Sequence, residues 1–526
     1  MSDQSLIPEG IHSLPDYIEQ KLRAYGALPA YTALGKTLSF REVDEKSVAL
    51  ASWLQHQNGL NEGDRIAIQL PNILQNPIAV YGALRAGLVV VNTNPLYTAK
   101  EMAHQFKDSG AKALIILSDF LPKYEEIKHQ TQIETVISTG IGDLLSDKAS
   151  PTEGDIYSFT EVLQAGKELP LKARSKQNVD DVCMLQYTGG TTGVSKGAAL
   201  SHGNILSNSV QTLDRLGASF EEGREVVVCP LPLYHIYAFT VCMMTFFAKG
   251  CLTVLIPNPR DLDAFVSQMK PFPITTFCGL NTLFIGLCQH AEFKQMNFAN
   301  LKLTISGGTA LTQAAVDIWK EVTTCSITEG YGLSETAPVL TFNQPGNEKV
   351  GTVGPPLLGT DIQLLDENDQ PVEGDESGQI AAKGPQVMLG YWNREEETKK
   401  VMTQSGYFKT GDVGVRTEEG CIKIIDRLKD LVIVSGFNVY PNEVENVLAS
   451  HPCVLEAAVI GKSDERTGER VCAFITVSET VSEDALISHC KKSLTGYKVP
   501  KEFHIVQELP KSTVGKVLRR ELRQAS

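Results

Sequence analysis

Tyr187-Thr-Gly-Gly-Thr-Thr-Gly-Val-Ser-Lys-Gly197 is the stretch on which the reading of this chain turns. Between Thr188 and Val194 it places three glycines and three threonines in seven residues. Backbone free of side chains leaves N–H groups open to an anion, the hydroxyls add donors, and Lys196 adds charge, so the run suits a polyphosphate. The apolar Val182–Leu185 leads into it. No GxxxxGK[ST] register can be drawn, so a different nucleotide loop is required. Gly193-Val-Ser-Lys-Gly197 does match GxSxG, the nucleophile elbow of serine hydrolases. An elbow, however, turns straight from strand into serine, whereas Thr188–Gly193 intervene here, and a lysine after the serine has no part in that chemistry. On spacing alone the rivals are that hydrolase and a plain flexible loop.

Outward from this loop, the first half of the chain alternates short apolar strands with helical stretches. Ser39-Phe-Arg-Glu42 reads as a capping box, and the helix behind it sets Val43, Leu50, Ala51 and Leu54 on one face. Asp64–Leu70 alternates like a half-buried strand and stops at Pro71. Further apolar cores lie at Leu88–Val91, Ala113–Leu117, Val226–Cys229, Leu252–Ile256 and Leu303–Ile305. Strands separated by helix-length segments predict parallel sheets covered by helices. From about Gly351 the texture changes to strands and turns. Asp366–Asp375 superficially resembles a calcium loop but lacks its glycine and its closing glutamate, so it reads as a solvated hairpin tip. After Arg427 comes a compact stretch with strands at Leu455–Ile460, Val471–Val477 and Phe503–Val506 and a helix near Asp484–Leu494. The expected architecture is α/β: a large N-terminal domain of helix-covered sheets, 1–428, and a small mobile C-terminal α+β domain, 429–526.

Charge narrows the partners. Lys and Arg number 48 against 62 Asp and Glu, a net charge of −14, which repels nucleic acid and anionic membrane at long range. A phosphate-bearing ligand must then be held by a local, preorganised site. Eleven cysteines contain no CxxC pair and read as buried reduced thiols. The opening MSDQSLIPEG is unlike a secretory leader. The longest apolar run, Ile236 to Ala248, is shorter than the roughly 18–20 residues of a membrane span and reads as a buried segment. A cytoplasmic location is expected, with peripheral contact on the inner face of the cell membrane left open.

Four more segments carry chemistry, each compatible with an ordinary turn when taken alone. In Gly330-Tyr-Gly-Leu-Ser-Glu-Thr336 an aromatic between glycines can lie on a flat base, and a carboxylate four residues later can ligate Mg²⁺. Upstream, Ser306-Gly-Gly-Thr-Ala310 ends a strand with residues small enough for close approach. Tyr407-Phe-Lys-Thr-Gly-Asp412 offers an acid suited to ribose hydroxyls. Asp426-Arg-Leu-Lys-Asp430, followed by Val434–Glu445, joins a charged linker to a Ser-Gly turn. Pro510-Lys-Ser-Thr-Val-Gly-Lys516 ends in a lysine that can deliver charge to a distant site.

Together and in this order, these segments resemble the adenylate-forming (AMP-binding) superfamily from about Ser13 to Arg523, with LTGYKVPKEF and LPKSTVGKVLRREL adding to the match. The likeness leans toward its bacterial fatty-acid–CoA ligase branch. The resemblance implies an AMP-forming enzyme that activates a long-chain fatty acid with ATP and hands it to coenzyme A, with Mg²⁺ as cofactor and no nucleic-acid partner. It implies phosphate contacts from Thr188, Gly189, Gly190, Thr191, Thr192, Gly193 and Lys196, and adenine stacking by Tyr331. Gly308, Thr309, Gly330 and Ser334 would complete the nucleotide site. Thr188 and Glu335 would place the metal, Asp412 would take the ribose with Arg427 assisting, Lys429 would be the hinge, and Lys516 the catalytic lysine. Ser435 and Gly436 would meet CoA. Leu231–Phe239 matches the acid-binding segment, giving an acyl pocket of His235, Tyr237 and Phe239, with His235 either beside the carboxylate or structural. Phe239 stands where some relatives carry a gating tryptophan, which leaves chain length open. A medium-chain or aryl-acid CoA ligase and an acyl-AMP ligase that loads a carrier protein remain the alternatives. Homodimers are common in the superfamily.

Overall fold

A computed structural model describes residues 6–145, 155–188, 194–372, 374–512 and 515–525. Two eight-stranded sheets dominate the N-terminal part. One runs through the strands Leu303–Ser306 and Ile327–Gly332 and turns antiparallel at Val339–Phe342. The other centres on Arg65–Gln69, Val89–Asn92 and Ala111–Leu117, and its antiparallel edge is made by Val182–Thr188, Lys196–Ser201 and Gly390–Tyr391. The helices Phe40–Leu54, Gln75–Arg85 and His202–Leu216 fill the space between. Ser39 and Glu42 do form the capping box that starts the first of these.

Parallel strands covered on both faces have no polar side. That corrects the half-buried expectation for Asp64–Leu70: Ile66, Ala67, Ile68 and even Gln69 are all buried. The apolar run after Ile236 is also interior. Ala238–Thr245 forms a π-helix whose every residue is buried. All eleven thiols are unpaired, and ten of them are buried. Among the described residues no helix is long and apolar enough to cross a membrane.

Beyond Gly351 a four-stranded antiparallel sheet joins Asp361–Leu365, Gly378–Lys383, Phe408–Arg416 and Ile422–Arg427. Asp366 accepts the N–H groups of Asn368 and Gln370, which closes a turn after the first strand. A short 3₁₀ turn, Leu428–Asp430, then leads to the smaller C-terminal domain. Its five-stranded sheet is built on the long hairpin Val454–Asp464 and Gly468–Val477, with Glu502–Ile505 pairing in parallel. The helices Pro441–Ala449 and Glu483–Cys490 lie over it. This domain has cores of its own, around Val459 and Phe474.

Candidate active site

The site forms where the ends of these sheets converge. Asp412 and Arg427 are direct cross-strand partners, so register alone brings them together. Arg427 Nε lies 3.3 Å from Asp412 Oδ1, and the Tyr331 hydroxyl donates to Asp412 Oδ2 at 2.6 Å. Tyr331 reaches across from the Ile327–Gly332 strand, and burial together with the Asp412 charge holds its phenol protonated. Gly332 is obligatory beside it, because a Cβ there would stand 1.8 Å from the Pro338 carbonyl oxygen. Sequence reading expected Tyr331, Asp412 and Arg427 in one nucleotide site, and the structure brings them into contact.

A second group surrounds Glu335. Its carboxyl is buried, which raises its pKa, and Oε1 accepts the Tyr391 hydroxyl at 2.8 Å. The Tyr391 ring carries Lys196 on its face, with Nζ 5.2 Å from the centroid, and Lys196 Nζ is 2.6 Å from Glu397 Oε2. Lys196 and Thr188 are directly opposed in the antiparallel strand pair. Gly189, Gly190, Thr191, Thr192 and Gly193 lie outside the described residues. Glu335 and Thr188 supply hard oxygen donors of the kind Mg²⁺ takes, and an anionic buried carboxylate is compensated by such a cation. The residues present therefore fit the metal.

The Leu231–Phe239 segment meets the Ser306–Ala310 turn at Gly307, where a Cβ would lie 3.3 Å from the Gly330 carbonyl oxygen and 3.5 Å from the Tyr237 ring. Around this seam the hydroxyls of Tyr237, Ser306 and Thr309 are buried with no hydrogen-bond partner among the described residues. Each unmet group of this kind costs about 1–3 kcal/mol, which a bound ligand can recover. Gly308 adopts φ +83° with open space at its Cβ position. His235 Nδ1 accepts the Tyr237 N–H at 3.4 Å, so the ring proton sits on Nε2. Burial first, and Lys516 second, lower its pKa to about 4, making it a neutral donor at pH 7. Phe239 is fully buried in the main core. Ser334 lies in the 3₁₀ turn that presents Glu335.

Lys516 reaches this centre from the C-terminal domain. Its neighbour Gly515, at φ +72°, offers a Cβ position 3.5 Å from Leu280 and from Thr282 of the larger domain. Burial is the main cause that lowers the Lys516 pKa to about 7; Arg427, Lys429 and Arg519 push the same way and Asp412 opposes. Lys429 lies in the 3₁₀ turn between the domains, its own pKa lowered by burial and by Arg427. Ser435 and Gly436 form the positive-φ tip of the hairpin joining Val432–Val434 to Phe437–Val439, exposed to solvent.

Three contributors escaped sequence reading. Tyr391 and Glu397 sit in GYWNREEE, which carries no motif and reads as a strand end and an acidic helix start. Glu329, one position before Gly330, has its pKa raised to about 8 by burial, and its Oε1 accepts the Leu311 N–H at 3.3 Å beyond the Ser306–Ala310 turn. Only the fold reveals these pairings.

Comparison with known proteins gives a consistent result. Residues 18–392 match the AMP-binding enzyme family, and residues 443–516 match the AMP-binding enzyme C-terminal domain. A long-chain-fatty-acid–CoA ligase of Escherichia coli is 41% identical, over 98% of this chain and 95% of its own length. A protein of the same name from Bacillus subtilis is 36% identical, over 94% and 91%. Among solved structures, an anthranilate CoA ligase in complex with anthranoyl-AMP superposes with a TM-score of 0.89 at 25% identity, over 100% of this chain and 99% of its own. ATP-bound MatB from Rhodopseudomonas palustris gives 0.88 at 29% identity, over 98% and 99%.

Proposed function

This chain belongs to the AMP-binding enzyme family, and from that premise we propose how its residues divide the work of an AMP-forming long-chain-fatty-acid–CoA ligase. The observation that carries the assignment of roles is the convergence of Lys516, from the smaller domain, on Asp412 and Arg427 of the larger one. A carboxylate is a poor acyl donor until one of its oxygens is exchanged for a better leaving group. Its oxygen attacks the α-phosphorus of ATP, that P–O bond forms, and the bond to pyrophosphate breaks. Negative charge gathers on oxygens of both reactants, and a protonated Lys516 stands where it can stabilise them.

Tyr331 orients the adenine and Asp412 accepts the ribose hydroxyls, with Arg427 holding the Asp412 carboxylate in place. Thr188 and Lys196 face the phosphates. Mg²⁺, held by Glu335 and Thr188, would neutralise phosphate charge when bound. His235, as a neutral Nε2–H donor, can hydrogen-bond the substrate carboxylate without forming a salt bridge. Tyr237 lines the acyl approach, and Phe239 backs it from the core.

In the second half-reaction the CoA thiolate attacks the acyl carbonyl carbon and the bond to AMP breaks. In this reading Lys516 serves adenylation alone and has to clear the acyl carbonyl before the thiol arrives. The smaller domain, bounded at 428/429, therefore rotates about Lys429 between half-reactions, withdrawing Lys516 and presenting Ser435-Gly436 to CoA. No side-chain nucleophile is required, which sets aside the GxSxG reading, and Ser195→Ala should retain most of the activity. The assay is direct. Fatty acid, ATP, Mg²⁺ and CoA should yield AMP and pyrophosphate, and the enzyme should exchange labelled pyrophosphate into ATP when fatty acid is present. Release of ADP, or no exchange with any carboxylic acid, would overturn the reading.

A further inference from the structure

The helix Ala99–Ser109 has no part in the chemistry above. It opens on a capping box of Thr98 and Glu101 and buries Met102, Gln105 and Phe106 against the sheet. His104 and Asp108, four residues apart, are neighbours on its surface. His104 Nε2 lies 2.9 Å from the Ser195 carbonyl oxygen. A carbonyl can only accept, so Nε2 carries the proton and donates. One turn later, Asp108 Oδ2 accepts the Tyr187 hydroxyl at 2.8 Å, and Oδ1 accepts from Arg394 at 2.6 Å. The Asp108 side chain is only 11% exposed, which sets this pair apart from an ordinary surface ion pair.

The three partners share a location. Tyr187 immediately precedes Thr188 on one strand, and Ser195 immediately precedes Lys196 on the next. Arg394 stands at the N-terminus of the Glu395–Val401 helix, which carries the Glu397 that pairs with Lys196. A single helical turn thus holds the strand that brings Thr188, the backbone that brings Lys196, and the helix that orients the Lys196 ammonium. We propose that His104 and Asp108 are positioning residues for ATP, fixing Thr188 and Lys196 at the separation the triphosphate needs. This inference rests on the phosphate role given above to those two residues.

The test uses the full chain with His104→Ala, His104→Gln and Asp108→Asn, and reads three quantities. These are the KM for ATP in pyrophosphate exchange, the rate of CoA transfer from supplied acyl-adenylate, and the thermal midpoint. Loss of one hydrogen bond in His104→Ala should raise the KM for ATP about tenfold while transfer from acyl-adenylate stays at the wild-type rate. His104→Gln, whose amide can donate to the same carbonyl, should recover most of that loss. Asp108→Asn keeps an acceptor for Tyr187 but drops the charge facing Arg394, and should give a smaller rise in the same constant; it serves as the probe if His104→Ala does not fold. An unchanged KM for ATP in His104→Ala and Asp108→Asn, an equal fall in both half-reactions, or no recovery with glutamine would overturn the proposal. Failure of the wild-type enzyme to exchange pyrophosphate would instead remove the phosphate reading on which it stands.

Discussion

Lys516 is the residue whose ionisation decides the most. Its ordinary pKa of 10.5 falls to about 7 because burial strips water from the ammonium and three further cations surround it. In the role proposed for it Lys516 acts protonated, and the free enzyme loses that form as pH rises through about 7. The kcat/KM for ATP should therefore fall across that range. Bound triphosphate brings negative charge that favours the ammonium, so kcat should hold to higher pH. Lys516→Arg keeps a cation at every working pH and should remove the limb while lowering the rate. A limb that stays put in the arginine variant would assign it to another group. The same shift affects stability in the opposite sense: between about 7 and 10.5 the unfolded chain holds a proton that the folded one has released, so this group's contribution rises with pH. Lys516→Ala should lower adenylation by about 10²–10³-fold, the scale of removing one preorganised donor of transition-state charge. Transfer from supplied acyl-adenylate should survive, and equal loss of both half-reactions would refute the role.

At the scale of elements, the ribbon Ile327–Gly332 with Val339–Phe342 carries Tyr331 near the end of its first strand and Glu335 in the 3₁₀ turn that joins the two. Its tightness depends on Gly332, whose missing side chain lets the Pro338 carbonyl pass. Gly332→Ala must push backbone aside, and should cost about 3 kcal/mol or more of stability along with most ATP-dependent activity. Gly308→Ala meets open space and carries only the left-handed backbone penalty of about 1–2 kcal/mol. Denaturant midpoints for the pair would check this, and equal losses would remove the steric argument. The same elements show what a linear reading can recover. Ser39 and Glu42 announce their helix because a capping box is local chemistry. Asp64–Leu70 misleads because its alternating polar residues lie between two helical layers, and burial there depends on what the rest of the chain stacks above them. Tyr391 and Glu397 are invisible for a related reason: their meaning comes from Glu335 and Lys196, 56 and 201 residues away. The contact of Tyr331 with Asp412 could be anticipated because each lies in a short motif with recognisable chemistry.

For the whole molecule, the question is how one cleft serves two incompatible half-reactions. Lys516 is tied to the smaller domain through the tail that follows it. Arg519 makes two contacts with Glu445, at 2.7 and 2.9 Å, and Arg523 reaches Asp430 at 3.0 Å. Any rotation of that domain therefore carries Lys516 along. On the larger-domain side Gly515 faces Leu280 and Thr282, and Lys516 lies within electrostatic reach of Asp412, Arg427 and His235. A reversible cross-link at the docking point exposes the consequence. Thr282→Cys with Gly515→Cys pairs two thiols at positions where a Cβ on residue 515 would stand 3.5 Å from Thr282 Oγ1, although a side chain at φ +72° costs about 1–2 kcal/mol. Oxidised, the enzyme should still form acyl-adenylate and exchange pyrophosphate, because Lys516 is held in place. Transfer to CoA should stop, because the thiol arm finds its route blocked. Reduction should restore transfer without altering exchange. If the oxidised enzyme passes the acyl group to CoA at the reduced rate, Lys516 need not leave, and both half-reactions take place in the arrangement seen here.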